Sequence, residues 1–514
     1  MLTPLAVEWW RSSLALRVIA LLVLVALLAS GAPAPSYAAS PPHILPQLER
    51  EAKQNPNKRF RVVIIRATKS HAADTELQKA GGSKVRDLAV NGFVAVVPGK
   101  KLKDLAESPH IKFIAYDPSM RSVSTVDPSQ LATNYPATVR ASELWSSFTG
   151  AGVGVAVIDT GIAANRADWN NNAGKSRIVA QARFNANTSS YGDGHGHGTH
   201  VAGIIAGNSW QSASPAVRGK YVGVAPNANL INVKVADDAG VTYISDVIDA
   251  IEWVIANRKA YNIRVMNLSL ISSIAESHRT SLLDAAVERA WFNGILVVVA
   301  AGNNGADTMQ YPPANDPFVV TVGAADALGT VATADDLLAP WSSYGMTQDA
   351  FAKPDVVAPG RYIVAPLAAG SVLGSQFSQR ISDTTYVWMS GTSMAAPIVS
   401  GVGALAFQAH PEWTNDQIKW LLLHTSAALG PAGQLPGQGA GEVDAVALTR
   451  FGATPSLANQ GQQISGLLLG PNGATTYVGQ SSGKWSSANW SSANWTSANW
   501  STTNWTAAPE LYVE

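Results

Sequence analysis

Cysteine is absent from all 514 residues. Its absence excludes a disulfide framework, a thiolate metal site and a cysteine nucleophile. Charge is sparse, at 14% of residues, and balanced: 36 Lys and Arg against 36 Asp and Glu give a formal net charge of zero. No basic patch stands out, so nucleic acid is not an expected partner. Long hydrophobic runs are missing too. Val18 to Ala29 is apolar for 12 residues, whereas a membrane-spanning helix needs about 20. No later stretch reads as apolar enough to span a bilayer, so no stable membrane span is expected.

What is present begins with that short run. Arg11 and Arg17 precede it, and Ser36-Tyr37-Ala38 follows a small, proline-rich stretch. This is the pattern of a secretory signal peptide cut after Ala38, and it implies a secreted protein. The chain is long for one domain, so two or three ordered parts are expected. The expected boundaries are 1–38 for the signal peptide, 39–127 for a small unit with a linker, 128–452 for the main domain and 453–514 for a tail.

In the small unit, apolar strand patterns at Arg61 to Ala67, Gly92 to Val97 and Ile111 to Tyr116 alternate with short helical stretches at Ala72 to Lys79 and Lys100 to Glu107. That order suggests an α+β, ferredoxin-like split βαβ unit. Asp117 to Pro136 reads as a linker. From Gly152 the pattern becomes α/β. Val153 to Ile158, Leu230 to Val235, Ile263 to Ser269, Ile295 to Ala300 and Phe318 to Val322 read as strands. Helical stretches stand at Ile244 to Asn257, Ser281 to Phe292, Ser393 to His410 and Thr414 to His424, the last with a capping box of Thr414 and Gln417. The expected fold is α/β: a doubly wound, mostly parallel sheet with helices on both faces. Ligands in such sheets bind at the carboxyl ends of strands. Asp159, Ser269 and the Ala301-Gly302-Asn303 turn fall at such ends.

In the tail, Trp485, Trp490, Trp495, Trp500 and Trp505 recur every five residues, which fits neither a helix face nor a strand face. A solvated low-complexity tail is the plain reading. The sharper one is a row of aromatic platforms for polysaccharide or cell-surface contact. Asn489, Asn494, Asn499 and Asn504 also form Asn-Trp-Ser/Thr sequons.

Three stretches carry chemistry. Asp159-Thr160-Gly161 closes an apolar strand. Asp193-Gly194-His195-Gly196-His197-Gly198-Thr199-His200 opens an apolar helix. Gly391-Thr392-Ser393-Met394-Ala395-Ala396-Pro397 precedes a long apolar run. A serine nucleophile needs a base, and the base needs a group that fixes its tautomer. Histidine and a buried carboxylate suit those roles. His195, His197 and His200 all compete for the base, and a His-rich tract can also hold a metal.

The order Asp, His, Ser is the one the subtilisin fold uses. Together with Gly223-Val224-Ala225-Pro226 and Lys353-Pro354-Asp355-Val356-Val357-Ala358-Pro359-Gly360, the three stretches resemble the signatures of the subtilisin-like serine proteases over about residues 128 to 452. The resemblance implies a secreted serine endopeptidase acting on proteins or peptides, with no cofactor required for the chemistry. It assigns Ser393 as nucleophile, His197 as base, Asp159 as orienting carboxylate and Asn303 as oxyanion donor. It implies that peptide substrates pair with Ser269-Leu270-Ile271 and the backbone around Ala239 and Gly240, with Ala301 and Gly302 at the pocket. Residues 39–127 would be an inhibitory propeptide, the protein's own intramolecular partner. A structural Ca²⁺ is implied at Asp168, nine residues after Asp159, with Asn208. Ile271 departs from the family, where glycine is usual. So does the 90-residue interval from Asn303 to Ser393, with extra loops near Leu328 to Leu338 and Ala368 to Tyr386. The alternatives are a non-catalytic surface-binding protein on the same scaffold, using the Trp-rich tail, and an esterase using the same triad.

Overall fold

The computed structural model describes residues 44, 46–88, 91–117, 119–120, 134–430 and 436–468. The expected signal peptide, most of the linker and the Trp repeats lie outside the described residues.

The small unit forms a four-stranded antiparallel sheet. Its order is Ser83–Asp87, Gly92–Pro98, Arg59–Arg66, Ile111–Tyr116. Helices Ala72–Lys79 and Gly99–Ala106 complete a βαββαβ chain order, as the alternation of short elements predicts. Ser83–Asp87 is a strand the sequence pattern does not predict. Its residues SKVRD are almost all exposed, so no apolar alternation marks it.

The main domain is built on an eight-stranded sheet. Across it run Leu337–Leu338, Val320–Asp326, Leu296–Ala300, Ile263–Leu268, Gly154–Asp159, Asn229–Lys234 and Ile178–Arg183, and Val356–Pro359 adds in parallel to Val320–Asp326. All pairs are parallel except Leu337–Leu338. Every residue of Gly154–Asp159 is buried, because a parallel sheet is covered on both faces and needs a continuous apolar strand. Helices Ile244–Asn257 and Leu282–Phe292 pack on each other, and helices His197–Ala206 and Thr392–Ala409 form a second pair.

Helix Thr392–Ala409 corrects one expectation. By length and composition it could cross a membrane, but 89% of that stretch is buried inside the protein. Its apolar surface belongs to the core, against strands Ile263–Leu268, Leu296–Ala300 and Val320–Asp326. The two loop insertions also find partners. Leu337–Leu338 pairs with Ala325 and Asp326. Ile381–Ser382 joins Tyr386–Met389 and Ile363–Pro366 in a three-stranded antiparallel sheet.

Candidate active site

Strand Gly154–Asp159 delivers Asp159 at its carboxyl end, beside the first turn of helix His197–Ala206. The approach is close. A Cβ on Gly198 would lie 2.2 Å from the Gly161 carbonyl oxygen and 3.1 Å from Asp159 Oδ1, so only glycine fits there. Asp159 Oδ1 lies 2.7 Å from His197 Nδ1 and accepts the Thr160 N–H at 2.7 Å. The carboxylate therefore binds the ring nitrogen that must carry a proton, leaving Nε2 as the basic atom.

A second carboxylate holds this corner, and sequence reasoning gave it no role. Asp193 Oδ1 accepts the Thr160 hydroxyl at 2.8 Å and the Gly196 N–H at 2.7 Å. Its Oδ2 accepts the Thr199 N–H at 2.8 Å. Thr160 Oγ1 in turn accepts the Gly198 N–H at 2.8 Å. Asp193 thus caps the helix that carries His197 and ties it to the strand end. The only sequence signal was an aspartate four residues ahead of a helix start.

The three histidines separate cleanly. His197 is buried, and burial pushes its pKa down. The charge and hydrogen bond of Asp159 outweigh that, so the net shift is upward. His200 is fully buried, with Nε2 3.1 Å and 3.0 Å from the Ile363 and Val387 carbonyls. Burial holds it near 3, a neutral structural group. His195 is pushed down by burial and by His197, its ring centroid 6.4 Å from that of His197. Its loop is held by the second insertion: the N–H groups of Val372 and Leu373 donate to the carbonyls of Gly194 and His195.

Ser393 lies in the first turn of helix Thr392–Ala409 and is 5% exposed. It is bound reciprocally to the end of strand Ile263–Leu268. Ser393 Oγ donates to the Ser269 carbonyl at 3.3 Å, and Ser269 Oγ donates to the Ser393 carbonyl at 3.0 Å. Asn267 Nδ2 donates to Ser269 Oγ at 3.0 Å, and Ser400 Oγ donates to Asn267 Oδ1 at 2.9 Å, so helix and strand are laced together. Ser269 and Leu270 line one cleft with Asp159, His197, Gly240 and Thr242. The expected serine–histidine hydrogen bond is not made in this state. Among the described residues His197 Nε2 has no hydrogen-bond partner, and Ser393 Oγ donates to the Ser269 carbonyl instead. Catalytic hydrogen bonds often tighten only once substrate is bound.

Asn303 reaches the same helix end. Its Oδ1 accepts the Thr392 N–H at 2.9 Å and the Thr392 hydroxyl at 3.0 Å. That fixes which end of the amide is oxygen and turns the NH2 end the other way. Thr392 Oγ1 also accepts the Gly302 N–H at 3.1 Å, so Thr392 orients the turn Ala301-Gly302-Asn303. Ile271 bounds that turn: a Cβ on Gly302 would meet Ile271 Cδ1 at 2.9 Å. Ala239 lies in the turn held by Asp237, whose Oδ1 accepts its N–H at 3.0 Å.

Asp168 and Asn208 do come together, with the Asn208 N–H donating to the Asp168 carbonyl at 3.1 Å. They do not fit a calcium ion. Asp168 Oδ2 accepts Arg166 Nε at 3.0 Å, and Oδ1 accepts the Tyr386 hydroxyl at 2.7 Å. The buried Arg177 guanidinium donates to the carbonyls of Asp168, Ala206 and Ala228 at 2.6–2.8 Å. Asp168 Oδ2 and the three carbonyls already have arginine partners and Oδ1 a tyrosine hydroxyl, leaving Asn208 Oδ1 as the buried oxygen of the pair with no partner among the described residues, where a calcium site needs six to eight oxygens facing the ion.

The comparisons with known proteins give the family. The sequence profile of the Subtilase family matches residues 150–441. Serine protease AprX of Bacillus subtilis is 35% identical over 392 residues, 72% of this chain and 84% of that protein. Subtilisin NAT of Bacillus subtilis subsp. natto is 32% identical over 376 residues, with the same coverage of 72% and 84%. Among solved structures, fervidolysin from Fervidobacterium pennivorans, a keratinolytic enzyme related to subtilisin, superposes with a TM-score of 0.58 at 24% identity, over 78% of this chain and 62% of that one. The last likeness speaks for the fold alone; with the sequence matches, it makes this chain a member of the subtilase family and a serine-type endopeptidase.

Proposed function

We propose that the chain is a secreted endopeptidase made as a zymogen, and that Ser393, His197 and Asp159 are its triad. Ser393 attacks the scissile carbonyl and His197 Nε2 takes the proton, later returning it to the leaving amine. Asp159 keeps Nδ1 protonated and stabilises the imidazolium that forms. Asn303 donates to the oxyanion, with the first-turn N–H groups of helix Thr392–Ala409 beside it. The observation that carries this reading is the buried 2.7 Å pair of Asp159 and His197, in a cleft whose opposite wall, Ser269, holds Ser393.

The inhibitory role of the amino-terminal unit rests on where it docks. Ser119–Met120 pairs antiparallel with Thr242–Tyr243, and Thr242 lines the cleft. An extended segment there occupies an edge that a substrate strand would use. Arg86 pairs with Asp246 at 2.8 Å and with Asp249. Asp117 accepts the N–H of Ser245 at 3.2 Å and its hydroxyl at 2.7 Å, at the start of helix Ile244–Asn257.

A fluorophosphonate probe tests the triad. The cleaved enzyme should be labelled on Ser393, and Ser393→Ala should remove both labelling and casein digestion. Labelling that persists in Ser393→Ala would overturn the assignment.

A further inference from the structure

Behind the cleft wall lies a cluster of ionisable groups that the triad does not use. Helix Leu282–Phe292 presents Asp284 and Glu288, four residues apart and so on one face. His278 lies in the turn before that helix, and Asp316 in the turn before strand Val320–Asp326. All four side chains have 0% exposure. His278 Nδ1 is 3.4 Å from Glu288 Oε1. One ligand atom each from His278, Glu288 and Asp316 falls within 4.8 Å of the other two.

The cluster is short of positive charge. Among the described residues, no lysine or arginine forms an ion pair with Asp284, Glu288 or Asp316. The nearby cations are committed elsewhere: Lys353 to Asp355 at 2.7 Å, and Arg279 to Asp349 at 3.5 Å. Asp349 itself accepts the Ser277 hydroxyl and the His278 N–H. Two of the carboxylates are held in place. Both Glu288 oxygens accept the Ser465 N–H, at 3.0 and 2.7 Å, and Asp316 Oδ1 accepts the Phe318 N–H at 2.8 Å. What remains is unpartnered. Asp316 Oδ2 and both oxygens of Asp284 are buried with no hydrogen-bond partner. So are both oxygens of the neighbouring Glu276.

A buried carboxylate without a partner costs several kcal/mol. Only two occupants relieve that cost: protons shared between the acids, or a cation. The ligand set favours the cation. One imidazole nitrogen beside carboxylate oxygens, oriented by backbone N–H groups, is what a borderline divalent ion takes. Calcium and magnesium prefer oxygen throughout. We infer that His278, Glu288 and Asp316 form a binding site for a divalent transition ion of the zinc or manganese class, beside the buried Asp284 carboxylate. The ion would cross-link helix Leu282–Phe292 to two turns that also clasp each other: the Ser272 N–H donates to the Pro312 carbonyl at 2.6 Å and the Glu276 N–H to the Gln310 carbonyl at 3.0 Å. The first of those turns continues from Leu270, a cleft residue, so the site stiffens the scaffold under the substrate wall.

The test uses the full chain carrying Ser393→Ala, so that self-digestion does not limit the measurement. The protein is stripped with dipicolinate and titrated with Zn²⁺ or Mn²⁺, by calorimetry and by thermal melting. One equivalent should bind, and Tm should rise by about 2–5 °C at a large excess over Kd. Glu288→Gln and Asp316→Asn should abolish that equivalent and the Tm response. X-ray absorption of the zinc-loaded parent, which needs no further variant, should show one imidazole among oxygen ligands. Two or more imidazoles would place the ion on the His195–His200 tract and overturn the assignment, as would binding that survives Glu288→Gln. No binding, with a stripped protein that gains stability as pH falls from 7 to 5, would show that protons fill the cluster instead.

Discussion

Asn303 gives the sharpest perturbation, because its two ends do different work. The oxygen end holds the Thr392 N–H and hydroxyl at 2.9 and 3.0 Å. The nitrogen end is the proposed oxyanion donor. Asn303→Asp keeps two oxygens for Thr392 and removes the donor. Losing one such donor costs about 10²–10³ in kcat. A carboxylate about 4 Å from the developing oxyanion adds about 4 kcal/mol of repulsion at an effective dielectric near 20, or roughly another 10³. Asn303→Asp should therefore lose about 10⁵–10⁶ in kcat, and Asn303→Leu only about 10²–10³. Stability should move the opposite way. An anionic acceptor at the start of helix Thr392–Ala409 gains about 0.3–1 kcal/mol, whereas leucine strands the Thr392 donors and costs about 1–3 kcal/mol. The assay is kcat and KM on a peptide p-nitroanilide, with melting followed in the Ser393→Ala background. KM should change little. The reasoning is refuted if Asn303→Asp stays within tenfold of the parent, or if leucine is the more damaging of the two.

Three more outcomes follow from the geometry. His197 must be neutral to act, and Asp159 raises its pKa against the pull of burial; kcat/KM should fall on the acid side at a pH above the ordinary histidine value, and the residual activity of Asp159→Asn should have its acid limb at lower pH. Asp117→Ala removes the acceptor for Ser245, worth about 3 kcal/mol for a cap plus a charged hydrogen bond; inhibition should weaken about 10²-fold, read as a shortened lag before the full chain becomes active. Millimolar Ca²⁺ should leave Tm unchanged, because chain cations already hold the oxygens around Asp168, while Arg177→Met should lower it by about 5 °C or more.

Most of the doubly wound sheet is legible because its central strands are buried on both faces and so written as apolar runs; the edge strand Ile178–Arg183, largely exposed or half-buried, is not. The expected bounds miss by a residue or two: Ser281, read as helical, is a cap whose side chain accepts from Asp284, whereas the capping box read at Thr414 and Gln417 is present. Asp159, His197 and Ser393 are legible from motif order and strand-end placement. Asp193 and Thr392 are not, because their work is to hold other groups, and a residue just before or at a helix start carries no mark of what it will reach. The partners of Asp168 are as invisible in the sequence. A carboxylate at a familiar interval says nothing about Arg177 or Tyr386, which arrive from other parts of the chain. The same holds for the acids around Glu288, whose grouping depends on three separate segments. Ser83–Asp87 escaped notice because both its faces meet solvent.

Ser393 Oγ is held on the Ser269 carbonyl, and Ser269 belongs to the segment proposed to pair with substrate. On that proposal, a peptide laid along Ser269-Leu270-Ile271 would bring its own amide hydrogens to the same carbonyl and compete with the hydroxyl for it. The nucleophile would then be freed to turn toward His197 by the molecule it is to cut.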